Sequence, residues 1–428
     1  MTWMSVKTGK QQPDHTREYQ SSGHERSRVC FSPQSSRRDR DAEAQSRMRT
    51  PRSWPRGVMT FPVRSALNQH SVATPGHSST SLPHAGSIIA IALVVVAGLL
   101  LSIYEFRVYA YSDLTGRIYA QHLRLLEGHA GNPTQFRALP EYIWDVLVRL
   151  QQARQSGDPI YTSLEVLRYT QNIVLFCLAY AYYRCLGLNM HAAVLGIGVF
   201  TLVAAGAVPP NWLRLSSNFD VSFFLCAAIL ILRRHDRWII PLSAVAALNR
   251  ETSGFLPLML LVARLDDLRD RRAAKEVVVK VGAALLVWFA GYVFLRVVYP
   301  PQDLVTDLWS AALRLNLLRE TSWINTFSTF GVLPLVALLG FRAWPHVLRK
   351  WFWLIVPTWI VVHTLASLIN ETVLFFEPTV LLIIPGALFA ALQAAAAQHD
   401  VRPSTVIAGV ETSESPLAVA AARDLVRP

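Results

Sequence analysis

Residues 249–253 read Asn-Arg-Glu-Thr-Ser and place a basic and an acidic side chain between two apolar runs. At the centre of a bilayer each such charge costs roughly 2.5–3.5 kcal/mol, so charged residues in this setting usually face a cavity or pair with a partner. If a helix begins here, its free backbone N–H groups and Arg250 suit a phosphate, while Glu251 could orient Arg250 or bind a cation. The other interpretation is a polar tip at the water interface that only caps two helices.

Further carboxylates occur where apolar runs begin or end. Asp113 follows the first apolar run and could act as a general base toward a hydroxyl group, or cap a loop helix. Asp220 opens a later run, where it is either catalytic or favoured by the helix dipole. Glu371 and Glu377 bracket the start of the last run, next to Pro378, and could bind a divalent cation or a sugar or lie in the headgroup layer.

The composition predicts a membrane protein. Of the 428 residues, 52% are hydrophobic and only 16% are charged, whereas soluble domains carry about 25% charged residues. The net charge of +12 comes from arginines in the N-terminal tail and in short loops, as the positive-inside rule expects, so it does not indicate nucleic-acid binding. The four cysteines show no CxxC spacing, which argues against a zinc site or a disulfide framework.

Three regions follow from this pattern. Residues 1–85 are rich in Arg, Ser and His and predict a disordered basic tail. Residues 86–397 predict a transmembrane helical domain with a long outer-face loop at 105–167, and 398–428 form a polar tail. The first apolar run begins too late for a cleaved signal peptide, so we expect it to stay in the membrane.

The apolar runs predict an all-α, polytopic bundle with about ten membrane-crossing segments. Ordinary spans are expected at 87–104, 168–186, 191–208, 219–232, 277–298, 323–341, 351–369 and 373–396.

The segment 238–265 is unusual because basic loops flank it on both sides. The loops 233–237, 264–275 and 342–350 should all be cytoplasmic. We therefore expect 238–265 to enter and leave on one side as a hairpin of two short helices, each reaching about 18 Å. A single long span is the alternative, and it would invert everything that follows. The hairpin places both termini in the cytoplasm and the tip on the outer side, together with 105–167 and Glu371.

Several motifs of this chain occur in the same order as in a known group of membrane proteins. The features are an Asp-bearing loop after the first span, Gln-Phe-Arg-Ala-Leu-Pro at 135–140, an Asp at a span start, Ala-Leu-Asn-Arg-Glu-Thr at 247–252, and a late Glu before a Pro-broken span. Residues 87–395 thus resemble bacterial membrane proteins with an Asn-Arg-Glu-Thr motif that are similar to the GT-C class of glycosyltransferases. The resemblance implies a location in the bacterial inner membrane and the use of polyprenyl-phosphate-linked sugars.

It also implies roles for individual residues. Asp113 would be the catalytic base, Arg137 and Arg250 would contact phosphate, and Asp220 and Glu251 would line the cavity. The late motif of these proteins usually reads Glu-x-Arg, but Glu371 is followed by Thr-Val, so a phosphate-binding arginine is missing there.

The sequence leaves three functions open. The leading hypothesis is transfer of a sugar from a polyprenyl-phosphate donor to an envelope acceptor. The alternatives are a transporter or flippase of a lipid-linked or anionic substrate, and a non-catalytic membrane protein of the same fold. We expect membrane lipid as a partner and no nucleic acid. No cofactor is firmly implied, although the carboxylates could bind a divalent cation.

Overall fold

The computed structural model describes residues 83–400, apart from 112, 131–133, 156, 209–214, 300–307, 368 and 370. All regular secondary structure in the described residues is helical, as the sequence predicts. The predicted tails lie almost wholly outside the described residues, so their expected disorder stays a prediction.

The α-helices are, in chain order, α1 Pro83–Val108, α2 Tyr119–Leu126, α3 Ala138–Ala153, α4 Pro159–Cys185, α5 Met190–Ala207, α6 Leu215–Leu232, α7 Ile239–Ala247, α8 Phe255–Ala263, α9 Arg271–Val298, α10 Leu308–Leu318, α11 Glu320–Phe330, α12 Leu333–Leu339, α13 His346–Ala366, α14 Phe376–Pro378 and α15 Ile384–Asp400. Short 3₁₀ segments lie at Thr134–Phe136, Asp236–Trp238, Glu251–Gly254, Leu265–Arg269, Phe341–Ala343 and Thr372–Phe375, and π-helical segments lie at Asp113–Ile118 and Thr379–Ile383.

Within the described residues, five helices are long and apolar enough to cross a membrane. They are Gly86–Val108, Met190–Ala207, Leu215–Leu232, Arg271–Val298 and Thr372–Gln398. They confirm the spans predicted at 87–104, 191–208, 219–232, 277–298 and 373–396. The chain is therefore a multi-pass helical membrane protein.

The expectation of about ten crossings is not confirmed. The other three ordinary spans that were expected do not form single helices that are long and apolar enough to cross a membrane. The spans predicted at 168–186 and 351–369 form the long helices α4 and α13, but neither is apolar enough to count among the five. The reason in α4 is a set of buried polar side chains that includes Arg168 and Asn172. In α13 it is a helix interior that contains Pro357 and His363.

The span predicted at 323–341 is not a single helix in the structure. This segment forms α11 and α12, whose axes are bent by 65°, so the two helices count as a sixth span only if taken together. Gly331 lies between them with φ of +52°, a conformation that residues with a Cβ rarely adopt, and Pro334 lies in the first turn of α12. The chain breaks where a glycine permits the turn and a proline favours a new helix.

The segment 238–265 forms the expected hairpin. Helices α7 and α8 have nine residues each, or about 14 Å, which is half of a 30 Å hydrocarbon layer. Arg264, after α8, donates to both carboxylate oxygens of Asp236, before α7, at 3.1 and 2.7 Å, and to the carbonyl of Ile231 at 2.7 Å. Hydrogen bonds therefore hold the start and the end of the hairpin together at one end of the bundle.

The three basic loops lie at this same end. Arg234 pairs with Asp267 at 2.8 Å, which joins the first loop to the second. Lys350 pairs with Asp266 at 2.8 Å, which joins the second loop to the third. Their common placement agrees with the charge pattern that predicted one shared side.

The last span is irregular, and other helices compensate for its irregularity. It passes from a 3₁₀ turn through Pro378 into a π-helical segment, so several carbonyls lack their usual helical donor. Tyr182 and Tyr183 donate to the carbonyls of Leu381 and Val380, at 2.7 and 3.2 Å, and Trp359 donates to that of Leu374 at 2.7 Å. Non-helical backbone is tolerated at this depth because buried side chains satisfy it.

The opposite end of the bundle carries a cap built from residues 113–153. An apolar cluster holds it in place, in which Leu114 and Trp144 pack with Leu164, Leu167 and Leu215. Because Leu215 begins α6 and the basic loop follows the end of α6, the cap and the basic loops lie at opposite ends of this helix.

We predict that replacing Arg264 with methionine destabilises the protein by about 3–5 kcal/mol, because Asp236 is buried and would lose its cation. The measurement is unfolding of the purified protein in detergent. Arg234→Gln is the matched control: it removes a pair at an arginine side chain that is 65% exposed, and should change stability by about 1 kcal/mol or less. Equal effects of the two variants would contradict a stabilising role for the buried Arg264–Asp236 pair.

Candidate functional site

The hairpin tip carries Arg250 into a pair of buried carboxylates. Its Nη1 lies 3.3 Å from Asp220 Oδ2 and 3.3 Å from Glu377 Oε1. Thr252 donates a second hydrogen bond to Asp220 Oδ2 at 2.7 Å. Asp220 and Glu377 are fully buried and Arg250 is 3% exposed. One guanidinium therefore contacts two carboxyl groups in the interior of the bundle.

A regular helix and two breaks in regular structure bring these side chains together. Asp220 is the sixth residue of α6, about 8 Å in from the helix start. Arg250 adopts an extended backbone between α7 and the 3₁₀ turn Glu251–Gly254. Glu377 directly precedes Pro378 in the irregular span. Asn249 anchors the tip by donating to the carbonyl of Ser216 at 3.0 Å.

Several buried polar atoms of this centre contact no hydrogen-bonding group of the described residues. They are Asp220 Oδ1, Glu377 Oε2, Arg250 Nε, Glu251 Oε2, Asn249 Oδ1 and Ser217 Oγ. Buried polar atoms are nearly always paired, so an unpaired group of this kind calls for an explanation. A polar ligand with both donors and acceptors could use these atoms.

The Gln-Phe-Arg-Ala-Leu-Pro motif packs over the hairpin tip. The amide of Leu139 donates to the carbonyl of Leu248 at 3.0 Å, next to Asn249. Gln135 fixes the preceding loop, because its side chain accepts from the amide of Ala130 at 2.7 Å and donates to the carbonyl of Leu125 at 2.8 Å. The motif thus holds its arginine near the tip.

Glu251 lies among basic side chains. Its carboxylate interacts electrostatically with Arg137, Arg250 and Arg296. Arg137 is 9% exposed, and the Arg296 guanidinium lies 4.3 Å from the centre of the Phe136 ring. Positive charge therefore collects where the cap covers the hairpin.

Asp113 is placed differently. It is exposed and begins the π-helical segment of the cap, while its neighbour Leu114 is buried against Leu215 at the start of α6. Asp113 therefore lies at the same end of the bundle as the cap, but among the described contacts it does not meet the carboxylate pair around Arg250.

Glu371 is also outside the buried centre. It is half-buried, and its carbonyl accepts from the amide of Leu374 at 2.9 Å, ahead of the last span. Glu377, not Glu371, reaches Arg250. The signal in the sequence was a glutamate directly before a proline within an apolar run, which predicts a buried carboxylate in need of a cation.

A second polar network, which the sequence analysis missed, joins α1, α4 and α6. Arg168 forms a bidentate pair with Glu105 and also donates to Gln171. Asn172 donates to Ser102 at 2.9 Å and to Glu105 at 3.0 Å, and it accepts from Asn218. Helices α1 and α4 come close enough because Gly98 packs against the backbone of α4, where an added Cβ would lie 3.1 Å from Ile173.

The described residues contain no group of three or more His, Cys, Asp or Glu side chains that could hold a metal ion. His363 stacks on Trp359 with ring centres 5.0 Å apart, and its Nδ1 contacts the carbonyl of the same residue at 2.9 Å. This geometry fits a helix-packing histidine.

We predict that Asn172→Leu destabilises the protein by about 3 kcal/mol or more. It deprives three buried groups of a partner, and each loss costs about 1–3 kcal/mol. Unfolding in detergent is the measurement, and Thr170→Ala, at an exposed position of the same helix, is the control with an expected change within about 0.5 kcal/mol. An Asn172→Leu protein as stable as this control would show that the network carries no stability.

Comparison with known proteins adds no relative to this description. No protein-family model matches the chain, and neither the curated proteins nor the solved structures include a match. The GT-C resemblance therefore rests on the residues of this chain alone.

Proposed function

We propose that this protein is a GT-C-like glycosyltransferase of the bacterial inner membrane. It would transfer a sugar from a polyprenyl-phosphate donor to an acceptor of the cell envelope. The observation that carries the proposal is the charged centre at the hairpin tip, covered by a cap that holds Arg137 and Asp113. A substrate with a lipid tail and a phosphate needs such a site, because apolar helices admit its tail and buried basic groups bind its head.

In this proposal the tip binds the donor phosphate. The Nε of Arg250 contacts no described acceptor, so one N–H of the guanidinium is available while Nη1 is held by Asp220 and Glu377. Arg137 supplies a second guanidinium from the cap. Guanidinium groups suit phosphate because their N–H donors match its oxygens. Asp220, Glu251 and Glu371 would then contact the sugar through its hydroxyl groups.

The proposed reaction is a direct displacement at the anomeric carbon. An acceptor hydroxyl gives its proton to the Asp113 carboxylate, and its oxygen forms a bond to the anomeric carbon of the sugar. The bond from that carbon to the phosphate oxygen breaks, and the polyprenyl phosphate leaves with the electron pair. Arg137 and Arg250 stabilise the negative charge that develops on the leaving phosphate. The exposure of Asp113 suits a base that must be reached by an acceptor from outside.

A transporter or flippase is the second candidate, and one observation favours it. The last span is discontinuous, with a 3₁₀ turn, a proline and a π-helical segment beside a buried ionisable residue. Broken helices of this kind form substrate sites in transporters. Such a protein would move a lipid-linked substrate without changing it, and a non-catalytic relative of the same fold would do neither.

The orientation belongs to the same proposal. The three basic loops share one end of the bundle, and the positive-inside rule favours the cytoplasm for that end. Both termini would then be cytoplasmic, and the cap and the hairpin tip would lie toward the outer face.

For the transfer reaction we predict that Asp113→Asn lowers the rate about 10²–10⁴-fold, because the acceptor loses its base. The protein would be reconstituted with polyprenyl-phosphate sugars and envelope acceptors, and the glycosylated product measured. Asp145→Asn is the control, since Asp145 is another acidic residue of the cap and pairs with Arg149 rather than with the site. Equal product from wild type and Asp113→Asn would remove Asp113 from the mechanism. Movement of intact donor across the bilayer without any product would support the flippase.

For the orientation we predict opposite labelling of the two ends. In a background without the four native cysteines, an impermeant maleimide added to intact cells should label Arg149→Cys, at a cap side chain that is 76% exposed. Arg233→Cys, in a basic loop, should be labelled only after the membrane is opened. The reverse pattern would invert the proposed topology and place the site on the cytoplasmic side.

A further inference from the structure

An apolar groove of about 450 Å³ lies on the side of the bundle. Side chains of α4, α6, α7 and the 3₁₀ segment before α7 line it, among them Leu178, Phe223, Cys226, Trp238, Leu242 and Val245. Trp238 and Val245 are 53% and 45% exposed, so the groove opens sideways to whatever surrounds the helices. For a multi-pass membrane protein that surrounding is the bilayer.

Positive charge lies at one end of the groove. Trp238 directly follows the basic loop 233–237, and the Arg237 guanidinium lies 5.8 Å from the centre of its ring. Within this loop, Asp236 is neutralised by Arg264, and Arg234 pairs with Asp267. Arg233 and Arg237 are exposed and form no ion pair with a described residue. Two uncompensated guanidinium groups therefore flank the mouth of an apolar groove.

This combination matches one class of partner. Tryptophan favours the membrane interface, where its ring lies at headgroup level, and this places the mouth at the lipid phosphates. Basic pockets beside membrane helices attract anionic headgroups. A zwitterionic lipid would fill the groove equally well with its chain but would offer no net charge to the two arginines.

We propose that the groove binds an anionic phospholipid, with one acyl chain along α6 and α7 and the phosphate between Arg233 and Arg237. The charge at the mouth selects the headgroup, and the apolar walls hold the chain. This site is at the basic end of the bundle and does not depend on the function proposed for the hairpin tip.

The test uses Trp238 as the reporter, because it lines the groove. The full chain is reconstituted in phosphatidylcholine vesicles that contain a small fraction of phosphatidylglycerol with brominated acyl chains, which quench tryptophan fluorescence on contact. The contribution of Trp238 is the difference between wild type and Trp238→Phe. We expect half-maximal quenching at a mole fraction lower by on the order of tenfold for brominated phosphatidylglycerol than for brominated phosphatidylcholine.

Two variants test whether the two arginines cause the preference for phosphatidylglycerol over phosphatidylcholine. Arg233→Gln/Arg237→Gln should abolish the preference and leave the quenching by either lipid at high mole fraction intact. Arg149→Gln removes an exposed arginine of the cap and should keep the preference. The proposal is overturned if both lipids quench equally in wild type, or if the preference survives in the double variant. It is also overturned if neither lipid reaches Trp238, the result expected if a second copy of the chain fills the groove.

Discussion

Arg250 carries a positive charge into the interior of the helical bundle, where its Nη1 lies 3.3 Å from both Asp220 and Glu377. Two charges 4 Å apart attract far more strongly in a protein interior than in water, and a single buried charge is correspondingly costly. The hairpin tip can therefore lie at this depth only if α6 and the last span both present their carboxylates to it. This requirement links three segments that are distant in sequence.

Other irregular features of the fold follow from the same constraint. The hairpin must stop about halfway through the layer for its tip to meet Asp220, and Arg264 and Asp236 hold its start and end together. The last span is broken at Pro378, directly after Glu377, and donors from Tyr182, Tyr183 and Trp359 satisfy the carbonyls that this break leaves free. The structure maintains a polar centre in an apolar bundle by supplying partners at each break.

Much of this architecture could be predicted from the sequence, because it depends on local properties. Apolar length identified five spans, and the alternation of basic loops with the polar residues 249–253 identified the hairpin. The bend at Gly331 was missed because the apolar run continues through it, and a hydropathy pattern does not register a change of direction.

Partners of buried charges were harder to predict, since they depend on which helices meet. The sequence offers both Glu371 and Glu377 at the start of the last span and predicts Glu371 for the site, because sequence spacing does not show which of the two faces the bundle. The pair of Glu105 with Arg168 was missed for a similar reason: one residue ends an apolar run, the other lies within a helix that was expected to cross as an ordinary span, and 63 positions separate them.

The central claim is that Arg250 and Glu377 stabilise each other inside the bundle, and a double-mutant cycle tests it most directly. The free energy of unfolding in detergent would be measured for wild type, Arg250→Met, Glu377→Gln and the double variant. We expect Arg250→Met to cost about 3–5 kcal/mol alone and clearly less in the Glu377→Gln background, giving a coupling energy of about 1.5 kcal/mol or more. Additive effects, with a coupling energy near zero, would contradict the account.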